Sequence, residues 1–151
     1  GIEYQDFGTY SEERADYPDF AHKLGEAIDS GELEWGIAIC GSGNGISMAL
    51  NKHPHVRAAL SWNEEIAALG RAHNNANVLS LPARFVSLDE AKKIIMAFLS
   101  TDFEGGRHEA RVAKIPLCMC RTIGIKIRKQ AEQFLLYYLP GIYVLKIPLL
   151  I

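Results

Sequence analysis

Trp35-Gly-Ile-Ala-Ile-Cys40-Gly-Ser-Gly-Asn-Gly45-Ile-Ser47 decides the fold: an apolar run of strand length passes into a turn with glycine at every second position. A helix over residues 46–52 follows. The glycines let the backbone turn tightly and present N–H groups beside a helix N-terminus, where the positive end of the dipole favours phosphate, carboxylate or enediolate oxygens. Cys40 stands at the entrance, at the C-terminal end of a strand, the edge where open parallel sheets bind ligands. The same surroundings favour a thiolate. The loop departs from the dinucleotide fingerprint, because Ile46 takes the place of its last glycine, and it lacks the Lys-Ser/Thr of a nucleoside-triphosphate loop. On these residues alone Cys40 is either an inert core thiol or a catalytic one.

Outward from this stretch the chain alternates strand-like and helix-like segments. Strands are expected at 2–7, 36–40, 56–60 and 78–81, and helices at 18–30, 46–52, 64–73 and 88–99. That alternation predicts a parallel sheet with helices on both faces. Pro18 sits in the first turn of its helix and Gly31 ends it. Asn63 and Ser87 are N-caps, and Glu90 completes a capping box with Ser87.

The 151 residues suit one compact domain, expected over 1–116. The net charge of −2 gives no field for nucleic acid or an acidic membrane, so anion binding must come from local placement and the ligand should be small. Three cysteines, at 40, 118 and 120, match neither a disulfide framework nor a zinc site and suggest a reducing cytoplasm. The chain begins at Gly1 with no leader-like segment, which reads as a fragment. Residues 117–151 differ in character: a basic patch at 121–129 precedes an apolar run at 134–151. Pro140, Gly141, Lys146 and Pro148 interrupt that run and argue against a membrane span. Within it, 142–147 has strand composition.

Three further groups can do chemistry. His73 ends a helix, where it either interacts with the helix dipole or, placed near the C-terminal edge of the sheet, transfers protons near neutral pH. Asn74 beside it can orient a sugar hydroxyl. Arg107 and Arg111 are four apart, so on a helix starting near Gly106 they share a face; they are either a solvated pair or a phosphate clamp. Arg84, just after a strand, is a third phosphate candidate. No clustered set of His and carboxylate ligands for a metal is evident from spacing.

Asp6-Phe-Gly-Thr-Tyr10 with Asp16-Tyr-Pro18, Cys40-Gly-Ser-Gly-Asn-Gly45, Asn51-Lys52 with Arg57-Ala-Ala59, His73-Asn74 with Ala76-Asn-Val-Leu79, and Glu104-Gly-Gly-Arg-His108 with Arg111 together resemble the type B ribose-5-phosphate isomerase and galactose-6-phosphate isomerase family, from residue 2 to about 115. The resemblance implies a Rossmann-like three-layer αβα sandwich with a mainly parallel sheet, forming a homodimer or a dimer of dimers. It implies a phosphorylated sugar as ligand, and an aldose–ketose isomerisation needing no metal or coenzyme. Carried over, Cys40 is the enediol base and His73 the acid/base that opens the sugar ring. Gly41, Ser42, Gly43, Asn44 and Gly45 form the anion hole, with Ser42 where the family usually has Thr. Asn74 contacts the sugar, and Arg84, Arg107 and Arg111 bind its phosphate. Members begin with a strand ending in an Asp-His-Ala-Gly-like motif that this sequence does not contain. The expectation is thus an N-terminally truncated sheet, one strand short in its middle, with residues 142–147 a candidate to fill the gap. Activity is expected to be impaired, leaving a phosphosugar-binding fragment as the alternative to an isomerase. Pentose and hexose phosphates stay open, and the tail resembles nothing in the family.

Overall fold

The computed structural model describes residues 3–117. The basic patch, the apolar run and the candidate strand at 142–147 lie outside the described residues. Three strands, β1 (Gly36–Cys40), β2 (Ala58–Leu60) and β3 (Val78–Pro82), make a parallel sheet in the order β1-β3-β2. Gly36 and Ala58 both pair with Val78, and Cys40 pairs with Pro82. Every residue of β3 is buried, as a central strand covered on both faces requires.

The helices are α1 (Tyr17–Asp29), α2 (Asn44–Leu50), α3 (Glu64–Asn74), α4 (Leu88–Ser100) and α5 (Arg107–Val112). Ala21, Leu24 and Ile28 of α1 and Ile46 and Leu50 of α2 pack with Ala38, Val56 and Val78 on one face of the sheet. Ala67 of α3 and Ile94 and Phe98 of α4 pack with Leu79 and Leu81 on the other. The change of face between Val78 and Leu79 is the two-residue period of a strand, and it makes the expected αβα sandwich. Capping follows the sequence: Asn63 accepts from the Ile66 N–H at 2.8 Å, and Ser87 with Glu90 forms a reciprocal capping box. Helix α2 begins two residues earlier than expected, because Gly43 takes the N-cap position at φ 73°, a left-handed conformation that glycine adopts without strain.

Two expected strands are corrected. Residues 3–7 form no strand. A strand needs a ladder partner, and among the described residues nothing pairs with the outer edge of β1, where Ile39 is 64% exposed. Only Phe7 of this segment packs on the core. β2 is shorter than 56–60 because a side-chain amide occupies the backbone N–H just before it. The Arg57 N–H donates to Asn77 Oδ1 at 2.8 Å. Asn51 brackets Ala58, donating from Nδ2 to its carbonyl and accepting its N–H at Oδ1, each at 2.9 Å. Among the described residues no helix is long and apolar enough to cross a membrane.

Candidate functional site

Cys40 ends β1 as a free, half-buried thiol. The chain just after β3 is laced to the end of β1 and the loop that follows β1: the Ala83 N–H donates to the Cys40 carbonyl at 2.9 Å and the Arg84 N–H to the Gly41 carbonyl at 3.0 Å. The Arg84 side chain then lies along Gly41, its Nε 3.1 Å from where a Cβ would stand. Ser42 Oγ accepts the Asn44 N–H at 3.4 Å. At Gly43 a Cβ would collide with Leu60, and at Gly45 it would lie 2.6 Å from Cζ of Tyr17. Glycine at 45 therefore admits a phenol ring against the loop. Tyr17 was not among the residues picked out from sequence. Its cue is the Asp16-Tyr-Pro18 helix start, but spacing does not reveal that the ring folds back over residue 45.

His73 lies elsewhere, which corrects its expected place at the C-terminal edge. A helix joining parallel strands runs against them, so its C-terminus returns to the N-terminal edge of the sheet. Helix α3 ends at Asn74 and β3 begins at Val78. The chain after α4 comes back to the same point, where the Glu104 N–H donates to the Ala72 carbonyl at 3.0 Å and α5 follows. The rings of His73 and His108 stack, with centroids 4.2 Å and planes 6° apart. Glu104 Oε2 is 3.6 Å from His73 Nε2 and 3.7 Å from His108 Nε2.

His108 is buried, and Arg107 Nε donates to its Nε2 at 3.3 Å. Burial, with the charges of His73 and Arg107, holds the His108 pKa below the ordinary imidazole range. Arg107, Arg111 and Asn74 are exposed. Neither arginine has a carboxylate partner among the described residues. The turn after His73 is fixed by buried Arg71, which donates from Nη1 to Ala76 O at 2.6 Å and to Asn75 Oδ1 at 3.0 Å. Its guanidinium lies 4.0 Å over the Trp35 ring.

The structure thus gathers a cluster that spacing did not reveal: ligand atoms of His73, Glu104 and His108 lie within 4.8 Å of one another. The two imidazole planes are nearly parallel, so their in-plane lone pairs do not converge on one cation. As placed, the trio suits proton sharing better than metal binding.

The expected site residues therefore fall into two groups. Cys40, Gly41, Ser42, Gly43, Asn44, Gly45 and Arg84, joined by Tyr17, occupy the C-terminal edge of the sheet. His73, Asn74, Arg107 and Arg111, joined by Glu104 and His108, occupy the N-terminal edge. The 11 residues of α3 span about 16 Å between these edges, at 1.5 Å per residue. One chain therefore places Cys40 and His73 at opposite edges of the sheet.

The ribose/galactose isomerase family matches residues 1–115. The chain is similar to ribose-5-phosphate isomerase B of Escherichia coli (strain K12), 46% identical over 115 residues that make 76% of this chain and 77% of that one. A ribose 5-phosphate isomerase structure from Thermotoga maritima superposes with a TM-score of 0.75 at 50% identity, covering 76% of this chain and 79% of the other. The Mycoplasma genitalium ribose-5-phosphate isomerase B with bound ribulose-5-phosphate gives 0.65 at 42% identity, covering 83% and 76%.

Proposed function

We infer that this chain, which belongs to the ribose/galactose isomerase family, is a sugar-phosphate isomerase whose reaction is ribose 5-phosphate to ribulose 5-phosphate. Relatives bearing that name, and one holding ribulose-5-phosphate, support the substrate. Isomerisation moves a proton between C1 and C2 through an enediolate. In the proposed mechanism the Cys40 thiolate takes the C2 proton, and the N–H groups of Gly41 to Gly45 stabilise the oxygen that becomes negative. His73 relays the ring-opening proton, with its imidazole held by the His108 stack and the Glu104 carboxylate. Asn74 orients a sugar hydroxyl, and Arg84, Arg107 and Arg111 hold the phosphate, whose binding energy fixes the reacting carbons.

One observation carries the assembly: the base and the ring-opening acid sit at opposite edges of the sheet. The working enzyme is then a homodimer in which the C-terminal edge of one protomer meets the N-terminal edge of its partner. Each active site takes Cys40 from one copy and His73 from the other. Purified Cys40→Ala and His73→Ala variants should each be nearly inactive. Dissociated and reassociated together, they should recover about a quarter of wild-type activity, because half of a random two-fold mixture is heterodimer with one intact site of two. No recovery would remove the composite site. Recovery would also exclude a phosphosugar-binding protein without turnover.

A further inference from the structure

The turn from α2 to β2 carries His53-Pro-His55 and meets α1 on the sheet face away from α3, α4 and the His73 group. Asp29, the last residue of α1, gathers this turn: its Oδ2 takes His53 Nδ1 at 2.8 Å, and its Oδ1 takes the His55 N–H at 3.0 Å and His55 Nδ1 at 3.2 Å. Burial raises the Asp29 pKa, but the bonds from His55 and His53 outweigh it and leave the carboxyl below its usual range. With Nδ1 of His53 committed to this carboxylate, its Nε2 is the nitrogen left with a lone pair, and it faces Nδ1 of His22 at 2.9 Å. His22, Gly25 and Asp29 recur at three and four residues, on one face of α1.

The imidazole is seated, not merely nearby. A Cβ at position 25 would run into the His53 ring. Helix α1 therefore carries a glycine at an interior position, which costs about 1 kcal/mol against alanine, where the ring lies. A histidine whose Nδ1–H is held by a carboxylate is the arrangement by which proteins orient metal-ligating histidines, and here its Nε2 points at a second imidazole. Two nitrogens bound to one tetrahedral cation at 2.0–2.1 Å stand roughly 3.3 Å apart, and exposed His22 can open the gap by that small difference.

We propose that His53 Nε2 and His22 Nδ1 form a binding site for a borderline divalent transition cation of the Zn2+, Ni2+ and Cu2+ class. The cation displaces the proton shared by the two nitrogens and sits off the line joining them, the exposed His22 ring turning so that both lone pairs meet it, and His22 then carries its proton on Nε2. Water completes the coordination, Asp29 orients His53, and the bound ion staples α1 to the α2–β2 turn. Two imidazoles are poor ligands for the hard cation Mg2+.

The test titrates Zn2+ into the full chain after chelation, by calorimetry and by thermal unfolding, with Mg2+ as control. Wild type should bind Zn2+ and melt at a higher temperature with it. His22→Ala should lose one bound equivalent and the whole shift in Tm while keeping the metal-free Tm and isomerase activity. His108→Ala should retain both zinc responses. Zinc binding unchanged in His22→Ala, loss in His108→Ala instead, or no zinc-dependent rise in wild-type Tm would each overturn the site. A second variant, Gly25→Ala, displaces the His53 ring and should weaken zinc binding with both histidines present; undiminished binding would count against the proposal.

Discussion

Cys40→Ala removes the thiol at the mouth of the glycine loop without touching the arginines proposed to hold phosphate. Turnover of ribose 5-phosphate should fall by several orders of magnitude while affinity for a phosphorylated ligand stays nearly unchanged; near-normal turnover would end the assignment of the base. His108 makes a different prediction. Its pKa is lowered in the folded protein, so between the folded and unfolded values the unfolded chain binds the proton more readily. Stability is therefore fully present above the ordinary histidine value of about 6.5 and declines as pH falls below it. His108→Gln should flatten the fall in denaturant midpoint between neutral and mildly acidic pH. It should also shift the acid limb of the pH–rate profile, because the imidazole stacked on His73 is gone. A midpoint that declines with acid as steeply as in wild type would contradict a lowered pKa at buried His108.

Helix α5 is only six residues long and places Arg107 and Arg111 in solvent, four apart. Charge-assisted bonds of about 1.5–3 kcal/mol predict that Arg107→Ala or Arg111→Ala weakens binding of a phosphorylated sugar by roughly ten- to a hundredfold. The Tm of Arg111→Ala should stay put, since the pair repels itself by only about 0.2–0.5 kcal/mol. Affinity unchanged from wild type in both variants would return the helix to an ordinary solvated surface. Helix ends were the most legible elements, because Asn63, Ser87 and Glu90 carry their caps in their own side chains. Strand ends were not. β2 begins late because Asn77, distant in sequence from its backbone partner, takes the Arg57 N–H that a longer ladder would use. Residues 3–7 have strand composition but no neighbour to complete the ladder, and composition says nothing of neighbours.

At the scale of the molecule, the glycine loop was readable because its residues are contiguous, and the αβα layering because the periods of strand and helix differ. The stacking of His73 on His108, 35 positions away, and the return of Glu104 to Ala72 are tertiary facts that no local pattern carries. The separation of Cys40 from His73 follows from chain direction: a motif tells which residues belong together, not from which copy each comes. That separation has a kinetic consequence. If every reaction centre spans two copies, dilution below the dissociation constant of the pair removes reaction centres along with pairs, even though each subunit stays folded. Specific activity should then fall with enzyme concentration and return on reconcentration, while the circular dichroism per residue stays constant. Turnover per subunit independent of dilution, down to concentrations where sedimentation detects single chains, would place a whole reaction centre within one copy.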